Sequence, residues 1–227
     1  MTDARTVLAV DVGGRHVKML ATGEEDPRAF PSGPKLTASE MVARVVGLTV
    51  DWQFDAVALG VPAQVAAGRV VHEPVNLGPG WIDFDYAAGF DRPTRLLNDA
   101  AMQALGSYDG GRMLLLGLGT GLGSAMIVDG VIESMELGHL PFRKATYEEY
   151  VGRAGRKRLG KKRWEKTVHE VVDGFSAALA PDYVVIGGGL AEELGELPTG
   201  ARLGSNANAF IGGFRLWNEN VAPGSER

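Results

Sequence analysis

Residues 113–123 read MLLLGLGTGLG, and this stretch decides how the chain is read. Met113–Leu118 is short and apolar, as a buried strand is, and the glycine turn Gly119-Thr120-Gly121 closes it. Ser124–Val128 and Val131–Glu133 then form a hairpin around Asp129-Gly130, a strong turn signal. A dinucleotide-binding fingerprint would have to open a helix after its glycines; here the chain continues as a strand.

The same grammar appears nearer the N-terminus. Thr6–Val12 (TVLAVDV) reads as a buried strand closed by Gly13-Gly14, with His16–Ala21 as its hairpin partner. Helical spacing follows over Thr37–Leu48, a buried strand at Ala56–Gly60, and a helix at Ala100–Leu105. After the second hairpin come helices at Tyr147–Val151 and Arg163–Leu179 and a strand at Tyr183–Ile186 that ends in Gly187-Gly188-Gly189. A helical Leu190–Leu194 and a closing helix at Ala207–Asn218 complete the pattern. Strand, glycine turn, hairpin, helix, strand thus occurs twice, which implies two related α/β halves with a ligand cleft between them.

Composition narrows the function. The chain has 227 residues, 45% hydrophobic and 22% charged, within the ordinary globular range. It has no cysteine, which excludes disulfides, a Cys-based zinc site and a thiol nucleophile. The longest apolar runs fall far below a bilayer span, and Met1–Arg5 does not start a signal peptide, so a cytoplasmic protein without a membrane partner is expected. The net charge of -5 argues against a dedicated nucleic-acid binder. That charge is unevenly spread: residues 143–166 hold ten Lys/Arg against three Glu.

Three glycine turns at strand ends point together to phosphate transfer or nucleotide binding. Gly13 and Gly14 can bring backbone N–H groups to phosphate oxygens, with Asp11 able to hold Mg²⁺ directly or through water. A plain hairpin with a Gly-Gly turn is the alternative. Asp99, at a strand-to-helix junction after Asn98, serves equally well by spacing as a general base or as a helix cap. Glu136 and His139 lie three apart in a glycine-containing loop and could bind sugar hydroxyls, although a lone Glu-x-x-His is more often structural than catalytic. Arg153–Lys166 (RAGRKRLGKKRWEK) suits a polyanion, but also fits a solvated helix face.

Taken in order and spacing, these motifs resemble the ROK family of sugar kinases, and within it the polyphosphate glucokinase branch. The stretches are Asp11–Gly14 with Lys18, Gly60-Val61-Pro62, Pro74–Leu77 with Trp81, Asn98-Asp99-Ala100, Leu116–Gly123, Glu136–His139 and Pro181–Gly189. The resemblance implies an α/β fold of two actin-like, ribonuclease-H-like ATPase-type domains around a cleft. A small N-terminal domain would span 1–97 and a larger one 98–227. It implies a kinase that moves a phosphoryl group from polyphosphate or ATP to the 6-hydroxyl of a hexose such as glucose. Asp99 would be the base, and Asn76, Asn98, Glu136 and His139 would bind sugar. Asp11, Gly13, Gly14, Lys18, Gly119, Thr120 and Gly121 would surround the phosphoryl group and Mg²⁺. Gly187, Gly188 and Gly189, with Lys161, Lys162 and Arg163, would meet the nucleotide or distal phosphates. A homodimer is the family habit. The cysteine cluster that holds structural zinc in many members is absent here, so no structural zinc is expected. Arg15-His16 stands where Thr or Ser is usual, and Ala63 follows Pro62 where Gly is usual. The alternative reading is a non-catalytic sugar- or phosphate-binding relative.

Overall fold

The computed structural model describes residues 5–205, 207–218 and 222–223. The N-terminal half holds β1 (Val7–Val12), β2 (His16–Ala21), β3 (Arg28–Pro31), helix α1 (Ala38–Leu48), β4 (Ala56–Val61), the small hairpin β5 (Val65–Ala66) and β6 (Arg69–Val70), α2 (Tyr86–Phe90) and β7 (Thr94–Asn98). The chain continues through α3 (Asp99–Ser107), β8 (Arg112–Leu118), β9 (Leu122–Val128), β10 (Val131–Met135), and the hairpin β11 (Pro141–Phe142) and β12 (Ala145–Thr146). Then follow α4 (Tyr147–Val151), α5 (Arg153–Leu159), α6 (Lys161–Leu179), β13 (Tyr183–Gly187), β14 (Ala201–Leu203), α7 (Asn208–Asn218) and β15 (Ala222–Pro223).

Two mixed sheets result, in the orders β3-β2-β1-β4-β7 and β14-β13-β8-β9-β10-β15. In each, an antiparallel hairpin lies beside parallel strands: β1–β2 with β4 and β7, and β8–β9 with β13. The duplicated grammar is therefore real. Strand β4 (AVALGV) is buried at every position, as befits a strand covered on both faces.

The period-2 alternation of β8 assigns its two faces. Leu114 and Leu116 join Val184 and Ile186 beneath the apolar face of α6, where Trp164, Val168, Val171, Val172 and Phe175 are buried. Met113 and Leu115 face the other way, into a core that also holds Val7 and Ala58 of the first sheet. Helices α3 and α7 fill that core. α7 approaches the first sheet so closely that a Cβ on Gly213 would lie 2.6 Å from the Ala9 Cβ. Trp217 donates to the Val57 carbonyl at 3.0 Å, and Arg95 donates to the Leu216 carbonyl at 2.6 Å. A helix late in the chain is thus bound to the sheet that begins it.

Most expected elements form, with shifted ends. The helix expected at Arg163 starts two residues earlier, at Lys161, and α5 precedes it across Gly160 (φ 74°). The helical turn expected at Leu190–Leu194 is only a single 3₁₀ turn, Ala191–Glu193. Among the described residues no helix is long and apolar enough to cross a membrane.

Candidate active site

Parallel register brings the site together. Asp11 pairs with Gly60, Gly60 with Leu97, and Val61 with Asn98, so Asp11 and Asp99 come to the same end of the first sheet. Asn98, not Asp99, is the N-cap of α3: its Oδ1 accepts from the amides of Ala100 (2.9 Å) and Ala101 (3.3 Å). Its Nδ2 donates to the Ala63 carbonyl at 3.2 Å. That contact uses the backbone of Ala63, so a missing glycine there leaves it intact. Asp99 occupies the first helical position, where one carboxylate oxygen accepts from the Ala100 amide at 2.8 Å.

The two carboxyls are electrostatically unusual. Both keep some exposed surface, yet the surrounding protein penalises their charged forms. Burial raises Asp99 from 3.8 to about 7, with further upward pressure from Asp11 and Glu136. Burial raises Asp11 to about 6, against the opposing pull of Lys18, its cross-strand partner in β2. Such a carboxyl, poised near neutrality and still partly exposed, suits proton transfer.

The first glycine turn is held tightly. The Gly13 amide donates to the His16 carbonyl at 2.9 Å, and the Ser32 hydroxyl donates to the Gly13 carbonyl at 2.6 Å. Gly14 lies under Asn76: a Cβ on Gly14 would be 3.6 Å from the Asn76 Cβ. The second turn ends β8, where the Gly119 amide donates to the Gly121 carbonyl at 3.1 Å. Thr120, at its tip, is exposed. The third turn meets the second: the Leu190 amide donates to the Leu118 carbonyl at 3.0 Å, and Gly188 (φ 82°) is packed against the Leu118 backbone. The second and third turns therefore form one surface. Lys161, Lys162 and Arg163 stand on α6, all exposed, and Lys161 pairs with Glu165 at 3.8 Å.

Glu136 and His139 flank a 3₁₀ turn after β10, with His139 Nδ1 3.6 Å from Glu136 Oε2. Glu136 sits high of its ordinary value, chiefly through burial, with His139 pulling the other way. Two neighbours of this pair escaped sequence reasoning. Glu148 lies 3.9 Å from His139 Nε2 and packs against both Gly121 and Gly138. His72 acts electrostatically on Glu136 from the loop before Asn76. No spacing signals either residue. Glu148 returns to the site only because the β11–β12 hairpin reverses the chain, with the Tyr147 amide bonded to the Leu140 carbonyl at 3.2 Å.

Asp11, Asp99, Glu136, His139 and Glu148 thus form one electrostatically linked cluster, with the glycine turns alongside. Among the described residues no set of three or more His, Cys, Asp or Glu makes a metal cage. A cavity of about 510 Å³ lies elsewhere, lined by Arg69, Trp81, Asp85 and Thr94, at the end of β7 remote from Asn98.

No family model matches the chain. In sequence it is 28% identical over 207 residues to a polyphosphate glucokinase of Mycobacterium leprae, a match covering 82% of this chain but only 60% of that protein's length. In structure it is similar to an inorganic polyphosphate/ATP-glucomannokinase from an Arthrobacter species (TM-score 0.77, 22% identity, 92% of this chain and 96% of that one). It is also similar to a ROK family glucokinase from Streptomyces griseus solved with glucose and AMPPNP (TM-score 0.78, 15% identity, 95% of this chain and 100% of that one). The chain has the fold of these kinases, and its resemblance to ROK family sugar kinases stands.

Proposed function

We propose that this relative of the ROK family sugar kinases is itself one, moving a phosphoryl group from polyphosphate or ATP to the 6-hydroxyl of a hexose, with glucose the first candidate. The observation that carries the reading is Asp99. It is a carboxyl raised to about 7, just after the C-terminal end of β7, among acids and a histidine suited to hydroxyls and beside turns suited to phosphate.

Phosphoryl transfer asks for positioning, charge neutralisation and a base. In this reading Asp99 accepts the proton of the 6-hydroxyl. Glu136, His139 and Glu148 hold other hydroxyls, with Asn76 at the margin. Asn98 retains one amide hydrogen for sugar after its three backbone contacts. The Gly13-Gly14 and Gly119–Gly121 turns, with Lys18, surround the transferring group, the Gly13 and Gly119 amides holding the turns in shape while those of Gly14, Thr120 and Gly121 face the phosphate, and Gly187–Gly189 line the distal phosphates. Lys161, Lys162 and Arg163 extend that track for a long polyanion.

The residues fit Mg²⁺. The acids nearest the phosphate turns are hard oxygen donors, and Asp11 and Asp99 repel one another in a way a cation would offset. Asp11 would hold the ion, which when bound neutralises charge on the phosphate oxygens. The domains would divide at 97/98, with α7 strapping the second to the first. Their closure would exclude water from the acceptor site. A homodimer is the assembly that family habit suggests.

The test mixes purified protein, Mg²⁺ and a sugar panel with ATP or with polyphosphate, and measures sugar phosphate. Product with at least one pair, lost in Asp99→Asn, is expected. No product with any pair favours the binding-protein reading, for which the exposed Arg15 in the first phosphate turn is the specific argument.

A further inference from the structure

Arg153 opens α5 directly against the second glycine turn. Its backbone N–H donates to the carbonyls of Gly119 (3.0 Å) and Thr120 (3.3 Å). Gly152 is pressed into the same turn: a Cβ there would lie 2.7 Å from the Thr120 carbonyl oxygen and 3.1 Å from Gly121 Cα. The backbone at Arg153 is therefore fixed to the turn.

Its side chain is the unusual part. Arg153 is half-buried, its Nε is shielded from solvent, and that Nε has no hydrogen-bond partner. No carboxylate among the described residues lies within ion-pair distance of it. Three other cations of this segment are paired with carboxylates. Arg156 pairs with Glu193 at 2.8 Å, Arg143 with Glu170 at 2.5 Å, and Lys161 with Glu165 at 3.8 Å. The nearby Glu148 engages His139 instead.

A guanidinium keeps its proton at all ordinary pH and offers five N–H donors in a rigid fork. Sheltering the Nε–H of one without an acceptor is unfavourable, and an arriving anion that takes that hydrogen relieves the penalty. Acids crowd the Glu136–His139 side, and Glu148 packs against Gly121, so the Gly119–Thr120 side of the turn, next to Arg153, is the part that favours an anion. We infer that Arg153 is a donor-binding residue, whose guanidinium takes phosphate oxygens of a phosphoanhydride chain lodged over Gly119–Gly121. This rests on the kinase reading. It adds a cation that the glycine-turn motif alone does not supply. Polyphosphate and ATP share the phosphoanhydride chemistry, so the experiment separates them.

The full chain is titrated calorimetrically, without sugar, against inorganic tripolyphosphate and, separately, ATP. Arg153→Gln is expected to weaken tripolyphosphate roughly 10–100-fold, the scale of a lost charge-assisted pair. Arg153→Lys should recover part of it, since a cation returns without the fork. Arg69→Gln, an exposed charge away from the site, should change it little. In turnover, the donor KM should rise in Arg153→Gln while the sugar KM does not. A loss confined to tripolyphosphate assigns Arg153 to an inorganic chain; a loss with both assigns it to the shared anhydride. Unaltered binding of both donors in Arg153→Gln overturns the inference, and so does an equal loss in Arg69→Gln. Should Arg153→Gln fail to fold, a folded Arg153→Lys with wild-type affinity overturns it as well. Wild-type protein that binds neither donor overturns the kinase reading with it; wild-type binding with an unaltered variant removes only the role of Arg153.

Discussion

Asp11 in β1 and Asp99, which directly follows β7 two strands away, stand close enough that the charge of Asp11 holds the proton of Asp99 more firmly. Neither residue neutralises the other, and Lys18 opposes the effect only at Asp11. Two acids that resist ionising together thus meet at one end of the sheet, where a cation would offset their charge.

Burial of both carboxyls, with that repulsion added at Asp99, makes stability pH-dependent. An acid whose pKa rises on folding binds its proton more tightly in the folded chain than in the unfolded one. Its stabilising contribution is full below the unfolded value of 3.8 and is lost as pH climbs through about 7 at Asp99 and about 6 at Asp11. In metal-free buffer the thermal midpoint should fall between about pH 5 and pH 8. Asp99→Asn should flatten the fall and raise the midpoint at the upper end by roughly 2–4 °C, on the order of 1 kcal/mol. A midpoint that rises over this range in the parent chain sinks the account.

The same substitution tests the chemistry. Loss of a general base lowers turnover by roughly 10²–10⁴-fold. Asp99→Asn should do so with a sugar KM close to that of the parent, since the amide keeps the shape of the carboxylate. A variant more stable yet nearly inactive would mark Asp99 as a strained functional group rather than a helix cap.

Glu148 offers a separate handle on the sugar. Glu148→Gln should raise the sugar KM by about 10-fold or more, the scale of a hydrogen bond to a charged acceptor, and leave the donor KM unchanged. Steady-state kinetics with each substrate varied in turn decide it. A rise in the donor KM alone would move Glu148 out of the sugar site.

Gly188 tests the joint surface of the second and third turns. Its φ is 82°, and a Cβ would run into the Leu118 backbone. Gly188→Ala should cost about 1–3 kcal/mol and shift the urea midpoint accordingly. An unshifted midpoint would mean the two turns can part freely.

The basic face of α6 separates the two donors. Reversing Lys161, Lys162 and Arg163 to Glu should raise the KM for polyphosphate about 10-fold or more, because several charge-assisted contacts are lost together. The KM for ATP and for sugar should move far less. Equal changes in all three would mark these residues as an ordinary solvated helix face.

The residues that belong to local grammar were legible in the chain itself. Asp11 with Gly13-Gly14, the Gly119–Gly121 turn and Gly187–Gly189 each follow a short apolar strand, and strand and turn are decided by neighbours in sequence. The duplicated pattern carried the two sheets with it. What hid was whatever depends on the chain returning to itself. Asp99 read equally as cap or base until Asn98 proved to be the cap, with both side-chain ends occupied. Glu148 reaches His139 through a hairpin reversal, and Arg153 meets Thr120 through long-range backbone hydrogen bonds, neither of which has a periodic signature. Sequence alone determined the main strands, the glycine turns that close them and their order, because those rest on local sterics and apolar periodicity. Tertiary structure alone decided which carboxyl is crowded, which acid faces the histidine and which arginine lacks a partner, because burial and charge proximity are properties of the packed molecule.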